Sequence, residues 1–182
     1  MIAAARLDPR VYEEVEADSR GTAQAMTVVI LSSLAGGIGS VGFAGPSLAV
    51  AAAGAAGALL GWVVLAALTY VVGTQLLAEP TTKADVAQLM RTLGFAQAPG
   101  ILRVLGAIPV VGTPALGLVT VWMLVAMVIA VRQALDYTST PRAIVVCLAG
   151  WILSIVAYGL AIEAANRWLE TLPQQVRLFS AL

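Results

Sequence analysis

The chain has 182 residues, 60% apolar and only 11% charged, and its ten basic and ten acidic side chains cancel. An ordinary globular chain is about 25% charged; here residues 21–78, 104–131 and 143–162 carry no charge at all, which excludes a soluble single domain and predicts an all-α, polytopic membrane protein, since a spanning helix needs about 20 apolar residues. With no histidine and a single cysteine, Cys147, His-based metal sites, His-assisted nucleophiles and internal disulfides are excluded, and no cofactor is implied.

Residues 1–20 hold eight charges. They do not have the basic-then-apolar layout of a cleaved signal. Asp8 as N-cap and Pro9 as first helical residue start a surface helix over 8–21. Val11 and Val15 share one of its faces with Tyr12 beside them, and Glu13, Glu14, Glu16 and Asp18 fill the rest. This is either a solvated juxtamembrane helix or a docking face for a soluble partner.

Span one is expected at 22–43. Its run Gly37–Gly42 matches GxGxxG by letter. No strand precedes it, so close helix packing by small residues is the reading rather than nucleotide binding. A turn at Gly45-Pro46 leads to span two, 47–77. At about 45 Å it exceeds a hydrocarbon core of about 30 Å and must tilt, kink or protrude. Ala53, Gly57 and Gly61 form a small-residue stripe containing a GxxxG, for packing within the chain or between copies in a homo-oligomer. Glu79, ahead of Pro80, reads as loop.

In 82–93, Thr82 and Asp85 fit a capping pattern. Val86, Leu89, Met90 and Leu93 form one apolar face, Lys83, Gln88 and Arg91 lie elsewhere, and Gly94 can end the helix. An amphipathic helix lying in the membrane interface is expected. The piece 95–112 is apolar but interrupted by Pro99, Gly100, Gly106 and Pro109, with Arg103 near its middle. It is a broken third span or a re-entrant segment. Spans follow at 114–134 and 142–166, and the tail is 167–182, with Trp168 at the interface.

Lys and Arg prefer the cytoplasmic side. Five spans put eight basic residues inside and two outside, with the N-terminus inside. Four spans give the same eight and two. Charge fixes the N-terminus but not the span count, nor the side of the C-terminus. Basic residues are too scattered for a nucleic-acid surface.

Three blocks resemble the Yip domain family of small polytopic membrane proteins, in its prokaryotic branch. The first is Leu7-Asp8-Pro9-Arg10-Val11-Tyr12-Glu13-Glu14-Val15, running into Ala23-Gln24-Ala25. The second runs from Leu93-Gly94-Phe95-Ala96-Gln97-Ala98-Pro99-Gly100-Ile101-Leu102 to Ile108-Pro109-Val110-Val111-Gly112. The third is Trp122-Met123-Leu124-Val125-Ala126 through Val131-Arg132-Gln133-Ala134-Leu135, then Arg142-Ala143. The resemblance implies five helices, a cytoplasmic N-terminus, a far-side C-terminus and, for a prokaryotic member, the plasma membrane. Eukaryotic members are linked to Rab-type GTPases and vesicle traffic; their Asp-Leu-Tyr-Gly-Pro motif has no match here.

Among candidate contacts, Arg103 stands out, because an ionisable group at membrane depth is costly. It lies about 12 Å beyond Phe95 along a helix. It either snorkels or pairs structurally, or it serves a lipid headgroup or ligand site beside the breaks at Pro99 and Pro109. Arg132 and Asp136, four residues apart, suggest a surface ion pair, or with Arg142 a headgroup or partner site. Glu163 is placed to pair with Arg167. The expected function is a non-enzymatic membrane protein that organises or shapes the bilayer or scaffolds partners; the alternative is a small permease with a site near Arg103.

Overall fold

The computed structural model describes residues 2–18, 20–39, 48–108 and 110–171. Among these the backbone is helical and contains no strand. The turn at Gly45-Pro46, Pro109 and the tail beyond Thr171 lie outside the described residues, as does the side chain of Trp168.

The charged opening forms α1 (Ile2–Ala5) and α2 (Pro9–Ala17). Asp8 caps α2 as its sequence predicts: its carboxylate accepts the Arg10 N–H at 3.1 Å, and Pro9 occupies the first turn. The helix is not simply solvated, however. Tyr12 is completely buried, its hydroxyl donates to the Ala4 carbonyl at 3.3 Å, and burial pushes its pKa up to about 12. The Trp122 indole N–H donates to the Ala5 carbonyl at 2.8 Å, so the first two helices are bonded to the bundle.

Among the described residues, four helices are long and apolar enough to cross a membrane: Gly21–Gly39, Ala56–Leu76, Gly112–Ala134 and Thr140–Ala157. The first is α3 (Gly21–Gly39). The over-long second span is α4 (Leu48–Val71), which finishes in a π-turn over Val72–Leu76 with Leu77 N–H bonded to the Val72 carbonyl. The last two are α6 (Gly112–Ala134) and α7 (Thr140–Thr171).

Between them lies α5 (Val86–Ala96), continued by a 3₁₀ helix, Ala98–Ala107. This corrects the sequence reading of 82–93 and 95–112 in three ways. Asp85, not Thr82, is the N-cap; it closes a capping box with Gln88 at 2.7 and 2.6 Å. Thr82 instead receives the Glu79 N–H. The helix also passes straight through Gly94. It stops at Gln97 because Pro99 brings no N–H and its ring would strike the carbonyl of residue 95 in a continuing α-helix. The 3₁₀ bond from Gly100 N–H to Gln97 O, at 2.8 Å, takes over. Finally, burial is not confined to the apolar face. Leu89, Leu93, Phe95 and Ala96 are buried, but so are Arg91 and Thr92. The neighbours of α5 are α2, α3, α4 and α6.

Glycine makes this central position possible. A Cβ on Gly94 would lie 2.7 Å from the Ala25 Cβ. One on Gly100 would strike Ser32 Oγ, and one on Gly39 would strike the Arg103 carbonyl. These pairs advance together along both segments, so 94–106 runs parallel to α3. Gly106 meets Leu116 and Gly100 meets Met123, so it runs antiparallel to α6. At 1.5 Å per α residue and about 2.0 Å per 3₁₀ residue, Val86–Ala107 extends about 36 Å.

The GxxxG of α4 is used differently. Among the described residues a Cβ on Gly57 would meet nothing within 4 Å. Gly61 lines a cleft, and the side-chain surroundings of Ala53 lie outside the described residues. Close approaches fall instead at Gly39, within the Gly-rich end of span one, and at Gly73, Gly94, Gly100, Gly106, Gly112 and Gly150.

Gly94→Ala is therefore expected to destabilise the protein by about 1–3 kcal/mol through overpacking against α3. Gly57→Ala should leave stability unchanged or raise it by up to about 1 kcal/mol through helix propensity. Thermal unfolding of the two variants in detergent, read by tryptophan fluorescence, checks the contrast.

Candidate functional site

Two regions gather the polar side chains. The first is the end of the bundle where α4 stops and α6 turns into α7. Glu79 sits at its centre with a side chain only 7% exposed. One carboxylate oxygen accepts the Thr138 N–H at 2.9 Å and its hydroxyl at 2.8 Å; the other lies 3.4 Å from the Arg142 guanidinium. These hydrogen bonds, with Arg142 adding to them, hold the carboxyl below its ordinary pKa of 4.5. Beside it the Tyr137 hydroxyl bridges the Gly73 and Leu77 carbonyls at 2.7 and 2.9 Å, carbonyls that the π-turn leaves available. Arg142 also reaches the Ala78 carbonyl. The α6–α7 loop is thereby clamped to the end of α4.

Arg132 and Asp136 belong to this clamp, but not as an ion pair. Arg132 Nε donates to the Tyr137 carbonyl at 3.2 Å and its Nη2 to the Thr138 carbonyl at 3.4 Å. Asp136 is exposed, with φ at 51°. Its N–H bonds to Gln133 O and that of Tyr137 to Arg132 O, a Schellman stop with Asp136 in the left-handed position. Its own carbonyl accepts the Thr81 hydroxyl at 3.0 Å. The helix stop turns the Asp136 carboxylate away from the partner that simple i, i+4 spacing assigns to it. Sequence reading places Glu79 in a loop and misses its role, because Thr138 and Arg142 are about sixty residues away. The Glu163–Arg167 pair does form, at 3.2 Å on an exposed helix surface.

Arg91 is the other residue whose environment the amphipathic pattern misassigns. It is 7% exposed, its Nε donates to the Val15 carbonyl at 3.1 Å, and its Cδ lies against Gly21. It ties α2, α3 and α5 together.

The second region is a cleft of about 670 Å³ between α4, α6 and α7, with the α5–3₁₀ junction as its floor. Leu65, Met123, Leu124 and Trp151 supply apolar walls; Gln97, Thr120 and Ser154 add neutral polar groups, and among the described residues Arg103 supplies the one charge. Pro99 is buried at the start of the 3₁₀ helix and shapes this floor without lining the cleft. Arg103 Cδ and Nη1 pass 3.6 and 3.8 Å from the Cβ position of Gly36. That glycine is three residues from the end of α3, so Arg103 lies near the opposite end of the bundle from Arg91. Among the described residues its guanidinium makes no hydrogen bond or ion pair, and none of its nitrogens is both buried and unpaired. They face the open space of the cleft.

A second cavity, about 430 Å³, is lined by Val128, Ile144, Cys147 and Leu148 and shares Leu124, Met127 and Trp151 with the first. Cys147 is buried there as a small hydrophobe. Among the described residues no group of three or more His, Cys, Asp or Glu side chains could hold a metal ion.

Comparison with known families gives one match: the model of the Yip1 domain aligns with residues 7–161, from the loop before α2 well into α7. No curated protein and no solved structure matches.

Because hydrogen bonds to the charged form lower the Glu79 pKa, the clamp contributes stability above pH 4.5 and loses it as pH falls through the lowered value. Glu79→Gln is expected to melt at a lower temperature at pH 7 and to lose less on acidification than the wild type. Parallel melting curves from pH 7 to pH 3 would show instead that Glu79 contributes nothing to the acid limb.

Proposed function

The chain belongs to the Yip1 domain family, and from that premise we propose that it is a non-catalytic, five-crossing plasma-membrane protein that organises the bilayer or scaffolds partners. The N-terminus is cytoplasmic in this reading. The observation that carries the fifth crossing is the parallel course of 94–106 beside α3, within a helical stretch, Val86–Ala107, of about 36 Å against a core of about 30 Å. It moves Arg103 to the far side in the charge count. The inner side then holds Arg6, Arg10, Arg20, Lys83, Arg91, Arg132 and Arg142, and the outer side Arg103, Arg167 and Arg177. Seven against three still favours an inner N-terminus.

A scaffolding role is supported by how the buried polar groups are used. Trp62, Trp122, Arg91 and Tyr137 all donate to backbone carbonyls of neighbouring elements. They fix one arrangement of the helices rather than converge on a substrate. The docked α2 still turns Glu13 and Glu14 outward, at the end of the bundle where Gln133 donates to Glu13 at 2.7 Å. This acidic face is where a soluble partner would bind. A small permease is the second reading, and the cleft at Arg103 is the feature in its favour. Its mainly apolar walls offer a hydrophilic solute few partners, whereas transport sites gather polar groups near the midplane.

Removing residues 1–20 would take Tyr12 and Ala4 out of the core, so partner binding is better tested by charge reversal. Proteins captured from native membranes by the full chain are expected to be lost with Glu13→Lys/Glu14→Lys while the variant keeps its melting temperature. An unchanged set of captured proteins would rule out the acidic face as the docking surface.

A further inference from the structure

We infer that the cleft between α4, α6 and α7 holds one anionic phospholipid, its phosphate on Arg103 and its acyl chains along the groove between α6 and α7. The inference extends the membrane reading and rests on the far-side position of Arg103 given above.

Three observations converge on this occupant. The first is charge: among the described residues Arg103 is the one ionised side chain lining the cleft, and no acid lines it. A guanidinium at membrane depth that is paired with nothing among the described residues calls for a mobile anion or a deep excursion of water. Its planar fork suits the bidentate geometry of a phosphate. The second is polarity along the cleft. The α6 register sets Thr120 level with Arg103, toward the end of α3 opposite Gly21, and Gln97 and Ser154 add the remaining polar side chains of this cavity. From there the two cavities join through Leu124, Met127 and Trp151 and continue to Ile144. A polar end followed by a long apolar channel has the order of a phospholipid and not of a soluble metabolite. The third is size: cavities of about 670 and 430 Å³ that share Leu124, Met127 and Trp151 leave room for acyl chains.

The groove is also not closed by the described residues. Trp151, Ile152 and Ile155 on α7 are half exposed or more, and in a bilayer the molecules available to cover them are lipids. The headgroup charge decides selectivity. An anionic lipid leaves Arg103 neutralised, while a zwitterionic one brings a second cation to the same site.

The test is native mass spectrometry of the full chain, released from nanodiscs made of equal parts phosphatidylglycerol and phosphatidylcholine with the same acyl chains. The wild type is expected to retain one phosphatidylglycerol per chain, at least tenfold over phosphatidylcholine. Arg103→Gln should lose that preference and Arg103→Lys should keep most of it. Thr120→Trp, which fills the cleft beside an intact Arg103, should lose bound lipid of either kind. Equal retention of the two lipids by the wild type, an undiminished preference in Arg103→Gln, or a lipid-free dimer covering the groove would each overturn the proposal. The readout is independent of partner capture, so either idea can fail without the other.

Discussion

Lipid supplies no hydrogen-bond partner, so a segment carrying Pro99, Gly100 and Gly106 can lie at membrane depth only where protein encloses it. That requirement shapes the rest of the bundle. The 3₁₀ helix packs most extensively against α3, then against α6. Both approaches depend on positions where a Cβ would not fit: Gly39 and Gly100 on one side, Gly106 and Gly112 on the other. The backbone break that would be costly in lipid is thereby placed where its neighbours are other helices.

The same economy governs the polar side chains. A carbonyl freed by a turn, a helix end or a 3₁₀ stretch is a stronger acceptor in a low-dielectric surrounding than in water, and this chain answers several of them with long donors. Trp122 reaches Ala5, Arg91 reaches Val15, and Tyr137 reaches Gly73 and Leu77, while Trp62 donates to Met90 within α5. Each bond links elements distant in sequence. The N-terminal helices are thus a structural part of the bundle, and the α6–α7 loop is tied to the end of α4 through Glu79. Arg103 makes no such bond among the described residues and lines the cleft instead, which is why the cleft, and not the clamp, is the place to look for a ligand.

The sequence makes much of this legible where the signal is local. Long uncharged runs give the four apolar helices, the cap at Asp8 and the pair Glu163–Arg167 follow from spacing, and the periodic Leu89 and Leu93 do fall in the core. The misses are non-local. Arg91 reads as a polar-face residue because nothing within ten positions shows that Val15 and Gly21 will enclose it. Glu79 reads as loop because Thr138 is fifty-nine residues away. The small-residue motif at Gly57 and Gly61 is conspicuous, yet the tight packing lies at Gly94 and Gly100, which stand alone and make no motif. The break at Pro99 is visible, but whether it divides a span or turns it back depends on a parallel neighbour that no local pattern reveals.

The central claim is that Val86–Ala107 passes from one side of the membrane to the other alongside α3. Single cysteines test it most directly, since native Cys147 is 3% exposed and gives little background. Lys83 is exposed just before α5 and Val110 is 95% exposed just beyond the 3₁₀ helix. In intact cells a membrane-impermeant maleimide is expected to label Val110→Cys at once and Lys83→Cys only after permeabilisation. If both positions react from the same side, the segment turns back within the membrane, the protein has four crossings, and the account of Arg103 at the far face is wrong.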